Sequence, residues 1–244
     1  MTRPRISRAI GLTVATFLAT SCVTGPAPIV IYQDELHSVS LRFDPEAGTG
    51  HSHPASLTPE QIVRVLRGVW VRHRDVVGGF GLFADKEGAP AFSATQILRV
   101  APYLSEGLQK ASPKDMVTFY LISGDPSRGK LVTSGGLFVR KDRLYFILAN
   151  ANTSPSSVQY ENNYEIDTRD QPLLPIARYK FTAGFRPQEA WIPNAKVRGA
   201  EGYERYMDES KLLVIDLPRV RAETPSPKSP SSSPAGQPTS PSRP

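Results

Sequence analysis

Residues 116–150 read MVTFYLISGDPSRGKLVTSGGLFVRKDRLYFILAN, and they decide the fold. Three runs rich in β-branched and aromatic residues, 116–123, 130–140 and 143–150, are separated by Gly124-Asp125-Pro126 and by Lys141-Asp142. Such runs, bounded by turn-forming residues, are strands. The first is apolar at odd and even positions alike, so it belongs in the middle of a sheet with both faces covered. The other two flank a two-residue connection and form a hairpin. Gly135-Gly136 marks a bulge in its first strand.

The pattern extends outward on both sides. PIVIYQDELHSVSLRF (28–43) reads as a second hairpin turning at Gln33-Asp34-Glu35, with Val39, Leu41 and Phe43 on one face. ARYKFTAGF (177–185) and KLLVIDL (211–217) read as two further strands, and residues 44–57 as a loop. Helices come between. Thr58-Pro59-Glu60-Gln61 carries an N-cap, a proline at the first helical position and a capping-box glutamine. Ile62, Val65, Leu66, Val69 and Trp70 follow at helical spacing, with His73 on the same stripe. A second helix starts at Ser93 with Gln96 in the capping-box position, and Ile97, Ala101, Leu104, Leu108 and Ala111 line it. Pro102 lies inside it and predicts a kink or a break. A short helix is expected near Glu201–Met207. The expectation is one α+β domain over 28–218, a mainly antiparallel sheet with two main helices on one face.

The two ends are different material. Of 29 basic and 23 acidic residues, seven basic and one acidic lie in 1–21 and 219–244, and the remaining 22–218 has 22 of each. The calculated pI of about 9.5 therefore belongs to the ends. A neutral domain without a clustered basic field argues against nucleic acid as a partner. From Thr224 the chain reads TPSPKSPSSSPAGQPTSPSRP, which has no large apolar residue to bury. Residues 219–244 are expected to be a disordered basic tail of polyproline character.

At the other end, MTRPRISR is a positive segment and AIGLTVATFLA (9–19) an apolar one. That run is too short for a membrane-spanning helix, which needs ~20 apolar residues, and it suits the core of a secretory signal. FLATSC (17–22) ends on Cys22, the only cysteine of the chain. This N-terminus resembles the signal peptide and lipobox of bacterial lipoproteins, with Ala19 where the pattern usually has leucine. The resemblance covers 1–22 and implies that Cys22 becomes the first mature residue and carries the acyl chains. Residues 22–27 are then a short tether reaching at most ~20 Å, and 1–21 the removed signal. Val23, not aspartate, follows the cysteine. By the enterobacterial sorting rule that implies the periplasmic face of the outer membrane in a Gram-negative cell.

Candidate chemistry is sparse. GHSHP (50–54) puts His51 and His53 two residues apart, on one side of an extended segment, where both imidazoles can face one metal. His37, Glu35 and Asp34 are the nearest further ligands in sequence, and the fuller histidine-aspartate pattern of binuclear hydrolases is missing. GFGLFA (79–84) matches a dinucleotide fingerprint in letters, but a helix precedes it where a strand is required. The apolar stretch around it reads as buried chain or as a contact with lipid or protein. Ser134 sits mid-strand without a nearby histidine, and the acids of 160–170 lack calcium-loop spacing. No catalytic, cofactor or metal residue is assigned, and the balance is against an enzyme. The expectation is an envelope lipoprotein, anchored to the membrane through Cys22, that acts as a non-enzymatic binding or assembly module for an envelope protein or the cell wall. The alternative is a metal-dependent periplasmic enzyme using His51 and His53.

Overall fold

The computed structural model describes residues 25–73, 88–125, 129–154, 168–176, 181–193, 202–208 and 210–222. Cys22, the 79–84 stretch, most of 160–170 and most of the C-terminal tail lie outside these residues. The strands and helices, in chain order, are β1 (Ile29–Gln33), β2 (His37–Phe43), α1 (Pro59–Gly68), β3 (Val69–His73), β4 (Ala89–Pro90), α2 (Ala94–Lys110), β5 (Asp115–Asp125), β6 (Gly129–Arg140), β7 (Arg143–Thr153), β8 (Phe181–Phe185), β9 (Trp191–Ile192), α3 (Glu204–Asp208), β10 (Leu212–Asp216) and α4 (Leu217–Ala222).

The three apolar runs of 116–150 form the centre of a seven-stranded antiparallel sheet, ordered β1-β2-β5-β6-β7-β10-β9. β6 and β7 turn at Lys141-Asp142, where Lys141 adopts a φ of 56°. The expected irregularity is present: the β6–β7 register shifts on both sides of Ser134. Gly135 follows it, and a Cβ there would lie 2.0 Å from the carbonyl oxygen of Ile147. The sheet buries both faces. On one lie Val39, Leu41, Val117, Phe119, Leu137, Phe146 and Leu213, packed under α1 and α2. On the other lie Met116, Phe138, Tyr145, Ile147 and Val214, packed under Tyr203 and Tyr206. The molecule is thus the α+β domain expected, with its two main helices on one face.

Both main helices start as their sequences require. Thr58 and Ser93 each accept a bond from the N–H of Gln61 and Gln96, and each glutamine side chain returns a carbonyl to the cap N–H. Each such cap contributes about 1 kcal/mol. Of the kink or break expected at Pro102, the break does not occur, since α2 runs on through it. The carbonyl that Pro102 cannot serve belongs to Leu98, on the exposed side of the helix where water reaches it.

α1 ends earlier than its apolar stripe. Val69, Trp70 and His73, expected on the helix, instead belong to strand β3, the centre of a second sheet ordered β4-β3-β8. Two features drive the change. Gly68 is packed so closely that a Cβ would meet the Arg186 carbonyl at 2.3 Å and the Phe185 ring at 2.5 Å. The Val-Trp-Val segment then pairs with β8, where Gly184 leaves the space that the Trp70 indole fills. β8 had been read as a strand, but the second sheet had no signal in sequence. Its buried Val69, Val71, Phe181, Ala183 and Phe185 join the same core as Leu213 and Ile215. At the C-terminus α4 carries packed chain past residue 218, with Val220 buried.

The contact at Gly68 gives the first test. Gly68→Ala is expected to destabilise the domain by about 2–3 kcal/mol, read as a lower urea midpoint with unchanged slope. An unshifted midpoint would show that the helix-to-strand corner is not held by this close approach.

Candidate functional site

The 44–57 loop alternates buried and exposed residues, with Asp44, Ala47, His51, His53, Ala55 and Leu57 turned inward. Its backbone is tied to three neighbours: Asp44 N–H to the Lys114 carbonyl, His51 N–H to Pro113, Ser52 N–H to Val139, and Ala55 N–H to Leu108. Gly50 makes the approach with a φ of 105°, and a Cβ there would lie 3.1 Å from Pro113. These contacts carry His51 and His53 beneath the end of β6, where both are buried.

His51 is held on every side. Its Nε2–H donates to Asp44 Oδ2 at 2.8 Å, and its Nδ1 accepts from Arg140 Nε at 3.3 Å. With Arg140 donating to Nδ1, the ring proton is fixed on Nε2. The ring stacks on Phe138, with centroids 4.1 Å apart. Asp44 is the hub. Its Oδ1 accepts the Glu46 N–H at 3.0 Å, while Oδ2 accepts both His51 and the Tyr203 hydroxyl, 159 residues away in sequence. Burial works against the ionised carboxyl, but the His51, Tyr203 and Glu46 bonds outweigh it and hold Asp44 below the usual carboxylate range. The same arrangement pushes the Tyr203 phenol up, through burial and then its bond to Asp44. The Arg140 guanidinium lies over the Phe138 and Tyr203 rings, at 5.2 Å and 5.4 Å, and donates to the carbonyls of Glu46 and Ala47.

His53 has a different setting. Its Nε2 accepts the backbone N–H of Val139 at 3.0 Å, so Nδ1 carries the proton, and that atom is buried near the Ser112 and Asp115 backbone without a hydrogen bond of good geometry. Burial, reinforced by His51, pushes its pKa down to about 4, so it is neutral at pH 7.

The two histidines come together, with ring centroids 5.5 Å apart, but three of their four nitrogens are engaged by protein. The further ligands suggested by sequence proximity are elsewhere. His37 starts β2 while Asp44 follows its other end, and six residues of extended strand separate them by ~20 Å. Among the described residues, no three of His, Cys, Asp and Glu gather as a metal site. The cluster as placed keeps both His51 nitrogens and His53 Nε2 engaged within the chain. It fastens irregular chain to the sheet. Asp44 and Tyr203 were missed in sequence. An aspartate seven residues before a histidine in a loop carries no periodic signal, and Tyr203 is brought in only by tertiary packing. Ser134 is likewise internal: its Oγ donates to the Pro172 carbonyl and accepts from Asn150 Nδ2.

A second cluster lies at the sheet edge. Tyr32 stacks on Tyr103 of α2 with centroids 3.9 Å apart. Its hydroxyl donates to Asp34 Oδ2 at 2.5 Å, and Arg99 reaches the same carboxylate at 3.4 Å. Asp34 also accepts the N–H groups of Leu36 and His37. These bonds outweigh burial and hold its carboxyl well below the usual range. Beside them α2 and β1 enclose a shallow, open groove of about 520 Å³ with Leu98 and Pro102 in its wall.

The buried His53 has a measurable consequence. Its folded pKa of about 4 lies below the 6.5 of a free histidine, so the unfolded chain binds the extra proton between those values. Its share of stability is full above pH 6.5 and is lost as the pH falls toward 4, by up to about 3 kcal/mol. His53→Gln, whose amide oxygen can take the place of Nε2 as acceptor for Val139, is expected to flatten the fall in urea midpoint between pH 7 and pH 4.5. An unchanged slope would show that His53 is not the titrating group. Tyr203→Phe is expected to cost about 1.5–3 kcal/mol at pH 7, since it removes a bond to an ionised, buried carboxylate.

No family model, curated protein or solved structure matches this chain, so the residues themselves are what its chemistry can be read from.

Proposed function

We propose that the protein is an envelope lipoprotein, held at the membrane by acyl chains on Cys22, whose α+β domain is a non-enzymatic binding or assembly module. The observation that carries this reading is the placement of the chain's only cysteine at the end of a basic-then-apolar N-terminal segment, directly after small residues. Two or more acyl chains at one site give stable attachment where a single chain gives only marginal binding. Among the described residues no helix is long and apolar enough to cross a membrane, which agrees with attachment through the N-terminus. With Val23 after the cysteine, the periplasmic face of the outer membrane is the proposed location in a Gram-negative cell. The non-enzymatic part of the proposal is supported by the engagement of His51, Asp44, Tyr203 and Ser134 with one another and with backbone.

The alternative, a metal-dependent enzyme using His51 and His53, requires His51 to surrender Asp44 or Arg140 before it can ligate. Metal analysis of the purified chain separates the two readings. The expected result is no stoichiometric metal, and one equivalent lost in a His51→Ala/His53→Ala variant that remains folded would overturn it. For the anchor, mass spectrometry of the mature N-terminus is expected to show an acylated Cys22, and Cys22→Ala to release the domain from membranes. An unmodified Cys22 in the mature protein ends the lipoprotein reading.

A further inference from the structure

The tether ends on an apolar flank. The described chain begins at Gly25, and a methyl placed on it would lie 3.6 Å from the ring of Phe43. Cys22 is three residues earlier, a reach of at most ~11 Å. Whatever path those residues take, an acyl group on Cys22 enters the bilayer close to Phe43 and the start of β1.

The surface there is unusual for this molecule. Six large hydrophobic residues are exposed among the described ones, and four of them lie on this flank: Ile29 at 59 %, Val30 at 56 %, Phe43 at 44 % and Leu98 at 63 %. Topology makes them continuous. β1 is an edge strand, with Ile29 opposite Leu41 and therefore on the same sheet face as Phe43. Val30 faces the other side, so the apolar surface wraps around the edge. Tyr32, three residues on, stacks on Tyr103, and Leu98 stands on the outer side of α2 five residues before Tyr103. Tyr32, Leu98 and Tyr103 line one groove, which joins the outer side of α2 to the β1 edge. The tyrosines add apolar bodies with polar tips, and the Tyr32 hydroxyl is bonded to Asp34 beside Arg99. Aromatic residues of this kind settle at headgroup depth.

We propose that the β1 edge and the outer side of α2 lie on the phospholipid surface, with Ile29, Val30, Phe43 and Leu98 inserted among the headgroups. This rests on the lipoprotein reading of Cys22. The acyl chains and the flank then act together as linked sites, and the domain takes one orientation in place of tumbling on its tether. The opposite edge, β9, faces away from the membrane, six strand spacings or roughly 29 Å from β1, and is the side presented to an envelope partner.

Because Cys22 is the only cysteine and is consumed by lipid, one added cysteine can be labelled uniquely. The full lipidated chain carries a fluorophore either on Thr95→Cys, one turn from Leu98, or on Glu189→Cys beside β9. It is reconstituted in phosphatidylcholine vesicles containing brominated acyl chains. The expected result is at least three-fold stronger quenching at position 95 than at 189, lost in an Ile29→Ser/Leu98→Ser background that is still acylated. Equal quenching at the two positions overturns the proposal. So does shielding of the position-95 label without lipid that grows with protein concentration, which assigns the flank to a second copy. Mass analysis of the same samples tells the two failures apart. An acylated chain with equal quenching defeats only the flank, whereas an unacylated Cys22 defeats the anchor on which it rests.

Discussion

A sheet that is apolar on both faces must be covered on both, and this constraint organises the domain. β5, β6 and β7 supply buried side chains alternately to each side. One side is closed in the ordinary way, by two amphipathic helices with well-made caps. Among the described residues the other side is covered by loop chain and the short helix α3, with Tyr203 and Tyr206 packed with Phe138, Tyr145 and Ile147. Irregular chain brings unpaired backbone polar groups with it, and burying these without partners costs about 1–3 kcal/mol each. The polar knots of the structure answer that cost.

Two knots do most of this. At one end of the sheet, Asp44 gathers Glu46, His51 and Tyr203, while Arg140 closes the ring from above. Nearer the middle, Asn150 and Ser134 hold the Pro172 and Leu174 carbonyls and the Ile176 N–H. Histidine, aspartate, tyrosine and serine in a buried cluster look like catalytic equipment. Here their hydrogen bonds join separate parts of the chain, each group being turned toward another. A buried ionised carboxylate with three donors is a strong tie between distant segments and a poor nucleophile or base.

The features on which the proposed function rests lie at the surface and at the N-terminus. Acyl chains at Cys22 would fix one point of the domain to a membrane. The exposed side chains around the first strand would fix its orientation. In the proposed orientation both would lie at the same edge of the sheet, which would leave the opposite edge for recognition. A neutral domain with basic ends suits that arrangement, since its charge does not commit the recognition surface to polyanions.

Much of the fold was legible in the sequence because it rests on local physics. Alternation, turn residues and capping boxes act within a few positions, so the two hairpins, both helix starts and the α+β class could be read from the letters. The proposed lipobox is a local pattern too, and the proposal for Cys22 rests wholly on sequence. What failed locally was decided by distance. The stripe through Val69 and Trp70 kept helical spacing, yet the close approach of Phe185 and Arg186 to Gly68 ended the helix, and pairing with β8 made a second sheet. His51 and His53 were rightly seen to share one side, but sequence proximity pointed to His37 as their neighbour, at the far end of β2. Instead His51 met Asp44 and Arg140, Asp44 met Tyr203, and His53 met the Val139 N–H, because the fold brought together residues 7 to 159 positions apart. Local sequence determined which segments could be strands, helices or a lipid attachment point. Only tertiary packing decided which polar side chains would meet, since that depends on how both faces of one sheet are closed.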